Sequence, residues 1–167
     1  HITAPEETVI FFCVKGDFAY SGKMDQFLAA GLFIDEIQEK IKKRFERITL
    51  HTIFVPGNHD CDFDDGTVGV REALLASPGL NIFDSQQMKI CTGIQKNFFE
   101  FAKDFSALYT FEDRVLTINE IHLDRENINI KFHCINTSWC SARKETKGKM
   151  RMKLENLPDK EPNDIVI

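Results

Sequence analysis

The sequence predicts an α/β fold in which β-sheets are flanked by helices, and three observations predict it. Thr8 to Val14 and His51 to Val55 are short runs of apolar, β-branched and aromatic residues, the pattern of strands buried in a sheet. Between them, from Met24 to Ile48, the residues Phe27, Ile34, Ile37, Ile41, Phe45 and Ile48 recur at spacings of three, four and seven, which sets them on one side of a long amphipathic helix. Strand, helix and strand in that order make a βαβ unit, whose strands run parallel.

The first strand is continuously apolar, so both of its faces are expected to be covered, and it ends at Gly16-Asp17. The far face of the long helix is charged. There Glu36 with Lys40 and Glu39 with Lys43 are i,i+4 pairs with the acid first, the better orientation for a solvated helix face. Pro56-Gly57 stops the second strand. A short helix is expected within Gly66 to Ser77, on Val70, Ala73 and Leu74. A clearer one is expected over Ile94 to Tyr109, where Ile94, Phe98, Phe101, Phe105 and Leu108 form a stripe. Val115 to Leu123 and Ile128 to Ile135 read as strands joined by the polar turn Asp124 to Asn127, hence an antiparallel hairpin. The polar, linker-like run Pro158 to Asp164 leads to Ile165-Val166-Ile167, which reads as the start of a further strand.

Composition bounds the rest. The 167 residues suit one domain spanning 1–167, read as incomplete at both ends. A hydrophobic share of 43% with 28% charged residues excludes a disordered chain, and 15 Phe against 2 Tyr and 1 Trp point to an aromatic core. A net charge of −5 gives no general electrostatic drive toward nucleic acid, although Lys144 to Lys153 is a local basic stretch. The apolar run Val9 to Val14 is far below the roughly 20 residues of a membrane-spanning helix. Cys13, Cys61, Cys91, Cys134 and Cys140 include no C-x-x-C pair, which suggests reduced thiols and a cytoplasmic setting. Cys13 and Cys134, inside strands, read as small buried hydrophobes.

The chemistry gathers after the two parallel strands. Asp17 follows the first and Asn58-His59-Asp60 the second, and beyond the carboxyl ends of parallel strands is where such folds collect functional groups. Neighbouring strands bring a carboxylate, an amide oxygen and an imidazole to one volume. Hard divalent cations take such oxygen ligands, and two ions about 3.5–4 Å apart can clamp a phosphoryl group. Gly16 and Gly57 permit tight turns there. His51, His122 and His133 lie in or beside strands and read as structural. Asp60, Asp62 and Asp64 match the start of a calcium-binding loop, but Asp65 replaces its glycine and Arg71 its closing glutamate. A solvated acidic loop is the better reading.

Gly16-Asp17-Phe18-Ala19-Tyr20-Ser21-Gly22, followed by Val55-Pro56-Gly57-Asn58-His59-Asp60, resembles two signature blocks of the calcineurin-like metallophosphoesterases. Asn136-Thr137-Ser138-Trp139 is similar to a segment of bacterial members. The resemblance implies a metallophosphoesterase-like sandwich of β-sheets flanked by helices, present here as a partial domain. It implies two divalent metal ions (Mn, Fe, Zn or Mg), bridged by Asp17, with Asn58 ligating one. It sets His59 beside the leaving group, with Asp60 accepting from the other ring nitrogen. The implied activity is metal-dependent hydrolysis of a phosphomonoester or phosphodiester. The implied partner is that substrate, with nucleic acid entering only as substrate, no membrane, and no oligomeric state specified.

Two departures stand out. The family's Asp-x-His block on the first strand has no counterpart, since no Asp precedes Asp17, and no His follows His133 to complete the coordination. The chain is therefore read as a piece of a larger enzyme, with a noncatalytic phosphoesterase-like binding or regulatory domain as the alternative. Completion of the site by a partner chain is the third reading.

Overall fold

In the computed structural model, β1 (Thr8–Lys15) pairs in parallel with β2 (Ile48–Val55), in register from Thr8 with Ile48 to Lys15 with Val55. The structure describes residues 8–45, 47–77, 84–105, 114–123, 128–145, 162 and 164–166. Helix α1 (Met24–Arg44) makes the crossover, so the βαβ unit stands as the apolar pattern predicts. It ends a turn earlier than expected: Phe45 is extended, and Ile48 to Leu50 join β2. Their partners explain the choice, because Thr8, Val9 and Ile10 present ladder groups that only an extended segment can satisfy.

Helices α2 (Val68–Ala76), α3 (Ser85–Cys91) and α4 (Lys96–Phe105) follow. The α3 helix was not anticipated, although Asp84 and Gln87 form a reciprocal cap in which Asp84 Oδ1 accepts from the Gln87 N–H at 2.8 Å. Leu108, Tyr109 and the turn at 124–127 lie outside the described residues. Strands β3 (Leu116–Leu123) and β4 (Ile128–Ile135) form the expected antiparallel hairpin. The terminal β5 (Asp164–Val166) adds to β4 in parallel, pairing Ile165 with Ile130. Asp164–Val166 thus have a definite place in the sheet. Most of the linker-like run before it lies outside the described residues.

The two sheets face each other. Phe11, Ile53 and Val55 of the first pack on Ile121, Ile128, Ile130, Phe132 and Cys134 of the second, with the Phe11 and Phe132 rings 4.9 Å apart. The first sheet's other face carries Phe12, Val14 and Phe54 against Phe27 and Ile34 of α1 and Phe98, Phe101 and Phe105 of α4. A helical layer, a sheet and a second sheet are therefore stacked in that order, each junction built from alternate residues of the strands.

Three expectations need correction. Thr8 to Phe12 are only half-buried; the fully buried run is Thr52 to Phe54, because β2 carries the cores on both faces of its sheet. Cys13 of β1 is exposed, while Cys134 is buried. The far face of α1 is densely charged in its second half, where Lys40–Glu36 and Lys43–Glu39 pair at 2.6 and 3.1 Å, while its first half carries Asp25 as its exposed charge. Its first half exposes Leu28, Leu32 and Phe33. Among the described residues no helix is long and apolar enough to cross a membrane.

Phe101 holds the helical layer on the sheet, its ring 5.4 Å from those of Phe18 and Phe27, 5.7 Å from Phe54 and 5.0 Å from Phe105. Phe101→Ala is expected to cost roughly 3–5 kcal/mol, read as a lower midpoint in guanidinium unfolding. A change below about 1 kcal/mol would show that this aromatic cluster does not hold the layers together.

Candidate metal centre

Beyond β1 the chain turns through two consecutive left-handed residues, Gly16 at φ 76° and Asp17 at φ 59°. Glycine adopts that region without steric cost, and Asp is among the few other residues that visit it. Space is as tight as the dihedrals. A Cβ on Gly16 would stand 2.6 Å from the Gly57 backbone, and one on Gly57 would stand 2.2 Å from Asp17 Oδ1. The loops after β1 and β2 therefore interlock, and glycine at both positions is what allows it.

Asp60 ties them together. Its side chain is fully buried, Oδ2 accepts from the N–H groups of Asp17 and Gly57, both at 2.8 Å, and Oδ1 accepts from the Ala19 N–H at 2.9 Å. Burial pushes its carboxyl above the ordinary range, opposed by the three N–H donors. Asp60 does not orient the His59 ring as expected, because both of its oxygens face backbone. That task falls to the Tyr20 carbonyl, 2.9 Å from His59 Nδ1. A carbonyl only accepts, so Nδ1 carries the hydrogen and Nε2 is the nitrogen that can exchange a proton. The exposed Tyr20 ring stacks on the imidazole at 5.7 Å, and the His59 N–H donates to Asp17 Oδ1 at 3.2 Å.

A cavity of about 410 Å³ lies beside this knot, lined by Lys15, Asp17, Val55, Pro56, Gly57, Asn58, His133, Ile135, Thr137 and Ser138. Asp17 and Asn58 both line it; His59 and Asp60 are not among its lining residues. Sequence reasoning missed Lys15 and took His133 for a structural residue. Lys15 adjoins Gly16-Asp17, which was a usable signal; nothing local marked His133.

Ser138, another lining residue of the cavity, is fixed by a buried polar network. Ser138 Oγ donates to the Pro56 carbonyl at 2.9 Å, Gln95 Nε2 donates to Ser138 Oγ at 2.8 Å, and Asn136 Nδ2 donates to Gln95 Oε1 at 2.8 Å. Arg71, 1% exposed, donates to the carbonyls of Cys91, Trp139 and Ser141 at 3.0, 2.8 and 2.6 Å. Carbonyls rather than a carboxylate thus satisfy this buried cation and pin the turn Ser138–Cys140.

Compared with known protein families, residues 1–166 match the one described as calcineurin-like phosphoesterase. The chain belongs to that family. Comparisons with curated proteins and with solved structures returned no match.

Members of the calcineurin-like phosphoesterase family typically bind divalent metals. The donors in this chain suit such ions in kind: the Asp17 carboxylate and the Asn58 amide oxygen are hard ligands, and both residues line the same cavity. Glycine at 57 keeps the space beside Asp17 Oδ1 clear of a Cβ. In number they are a partial set, since among the described residues no group of three His, Cys, Asp or Glu side chains is placed to hold a metal ion.

The acidic loop nearby is ion-paired, with Asp64 left exposed and Asp62 and Asp65 largely covered. Lys23 Nζ lies 2.6 Å from Asp62 Oδ1 and 3.2 Å from Asp64 Oδ2, Lys96 pairs with Asp65 at 2.6 Å, and Arg143 pairs with Asp64. Asp62 is buried and caps the Asp64 N–H. With its acids matched to bases, the loop keeps little field to steer cations.

Two outcomes follow from this geometry. Asp60→Asn turns one acceptor oxygen into a donor facing an N–H and is expected to lower stability by roughly 1–3 kcal/mol, measured by urea unfolding; an unchanged midpoint would remove Asp60 from its place in the knot. The Lys96 ammonium and the Thr67 donors hold the Asp65 carboxyl down to about 2. A depressed carboxylate stabilises the fold above its unfolded pKa, so this contribution is expected to fade as pH falls from about 4 through about 2. Asp65→Asn should flatten that part of the pH–stability curve, and a variant with the wild-type slope would exclude Asp65 as its source.

Proposed function

We propose that the protein containing this chain is a metal-dependent phosphoric ester hydrolase that cleaves a phosphomonoester or phosphodiester at the cavity beside Asp17 and Asn58. The observation that carries this reading is the interlocked pair of loops, whose Asp17 and Asn58 line one cavity in a chain that matches a phosphoesterase family over residues 1–166. Asp17 and Asn58 would hold a divalent pair, Mn, Fe, Zn or Mg, whose chemistry is Lewis acidity toward a phosphoryl oxygen. Asp17 would supply carboxylate oxygens to them and Asn58 a neutral amide oxygen. Further ligands would come from outside the described residues.

His59 is the proton-transfer group of this proposal. With Nδ1–H given to the Tyr20 carbonyl, Nε2 is the atom that can hand a proton to a departing alkoxide. Asp60 acts one step behind, by holding Asp17, Ala19 and Gly57 where the site needs them. The partial ligand set among the described residues is the observation that favours the second reading, a noncatalytic binding or regulatory domain on the same fold.

Turnover of p-nitrophenyl phosphate and bis(p-nitrophenyl) phosphate, with Mn²⁺, Fe²⁺, Zn²⁺ or Mg²⁺ added, separates the two readings. Hydrolysis that needs the ion and falls about 10²–10⁴-fold in kcat for His59→Ala supports the enzyme. Ion binding by calorimetry without hydrolysis of either ester would replace it with the noncatalytic domain.

A further inference from the structure

The polar groups lining the cavity divide by whether the protein already engages them. Ser138 Oγ is engaged, by Pro56, Gln95 and Asn136. Asp17 Oδ1 accepts from the His59 N–H. Lys15 differs. It is the last residue of β1, exposed, and on the cavity wall with Asp17 and Asn58. Among the described residues it makes no ion pair, whereas Lys23, Lys96 and Arg143 nearby are matched to Asp62, Asp64 and Asp65. His133 lines the same cavity, and its Nε2 is buried with no hydrogen-bond partner among the described residues. Thr137 adds a hydroxyl to this lining.

A lone ammonium and a hydroxyl line one space together with a carboxylate and an amide suited to cations, which makes a site of two chemical characters. We infer that Lys15 is a substrate-positioning residue that holds a nonbridging phosphoryl oxygen, with the Thr137 hydroxyl of the same cavity lining to hydrogen-bond the same phosphate. This deepens, and rests on, the reading of the cavity as a phosphoester site. Lys15 directly precedes Gly16-Asp17, so the turn that presents the Asp17 carboxylate also fixes where its cation starts. The ammonium reaches phosphate as a point charge on a flexible stem, suited to a group whose oxygens shift during transfer. It neither ligates the metals nor moves a proton, so its loss is expected in substrate affinity before rate.

The test uses inorganic phosphate as the probe, titrated calorimetrically into the Mn²⁺-loaded protein that contains this chain, alongside kinetics on p-nitrophenyl phosphate. Lys15→Ala is expected to weaken phosphate binding about tenfold, the effect of losing one charge-assisted hydrogen bond. It should raise KM by a similar factor with kcat held within about threefold, and reduce the salt dependence of binding. Lys15→Arg should recover most of the affinity. Because Lys15 is exposed, its variants should keep the wild-type urea midpoint. Phosphate binding that depends on Lys15 in a protein without turnover would support the inference while the hydrolase reading fails. Turnover with unaltered phosphate binding and KM in Lys15→Ala would overturn the inference and leave the hydrolase standing, and wild-type protein that binds no phosphate would also overturn it.

Discussion

A single buried carboxylate organises the functional end of this molecule. Asp60 receives three backbone N–H groups, two from the loop after β1 and one from the loop after β2, and so ties together segments more than forty residues apart. Ionised, it forms charge-assisted bonds, stronger than neutral ones. Burial opposes the charge, so the arrangement depends on all three donors being aimed at once. The left-handed turn at Gly16-Asp17 does the aiming, and the absent side chain of Gly57 leaves the room. Remove any part and the Asp17 carboxylate loses its fixed place beside Asn58.

The second sheet supports that end from the other side. Its strand β4 delivers Asn136 and Ser138 into a closed network with Gln95 and the Pro56 carbonyl, so the start of the Gly57-Asn58-His59-Asp60 segment is held from behind as well as across. Arg71 anchors the turn that follows. These polar contacts sit where the aromatic core of the helical layer and the inter-sheet core end. Apolar burial supplies most of the drive to stack the layers, while directional hydrogen bonds set the positions of the site residues.

Much of the fold was legible because periodicity is a direct image of which face is buried. The parallel pair β1 and β2, the crossover α1, the aromatic stripe of α4 and the hairpin of β3 and β4 all stand where the apolar patterns place them. What misled was local. The spacing of Ile48 continues the helical stripe, yet a strand ladder claimed it, since pairing outweighs the helix preference of one turn. The Asp84–Gln87 cap announced α3 in a segment with a weak apolar pattern. Acidic residues from Asp62 to Asp65 looked solvated because their partners, Lys23, Lys96 and Arg143, lie far away in sequence.

By itself, the sequence determined the α/β class, the family, and the convergence of Asp17 with Asn58, because strand ends and glycine turns are written locally. Tertiary structure alone decided the division of labour within the knot. It assigned Asp60 to backbone and His59 to the Tyr20 carbonyl, and it brought Lys15 and His133 to the cavity wall. A residue's type announces what it can donate or accept. Which partner it meets depends on contacts forty to more than one hundred positions away, and those exist only once the two sheets and the helices have stacked.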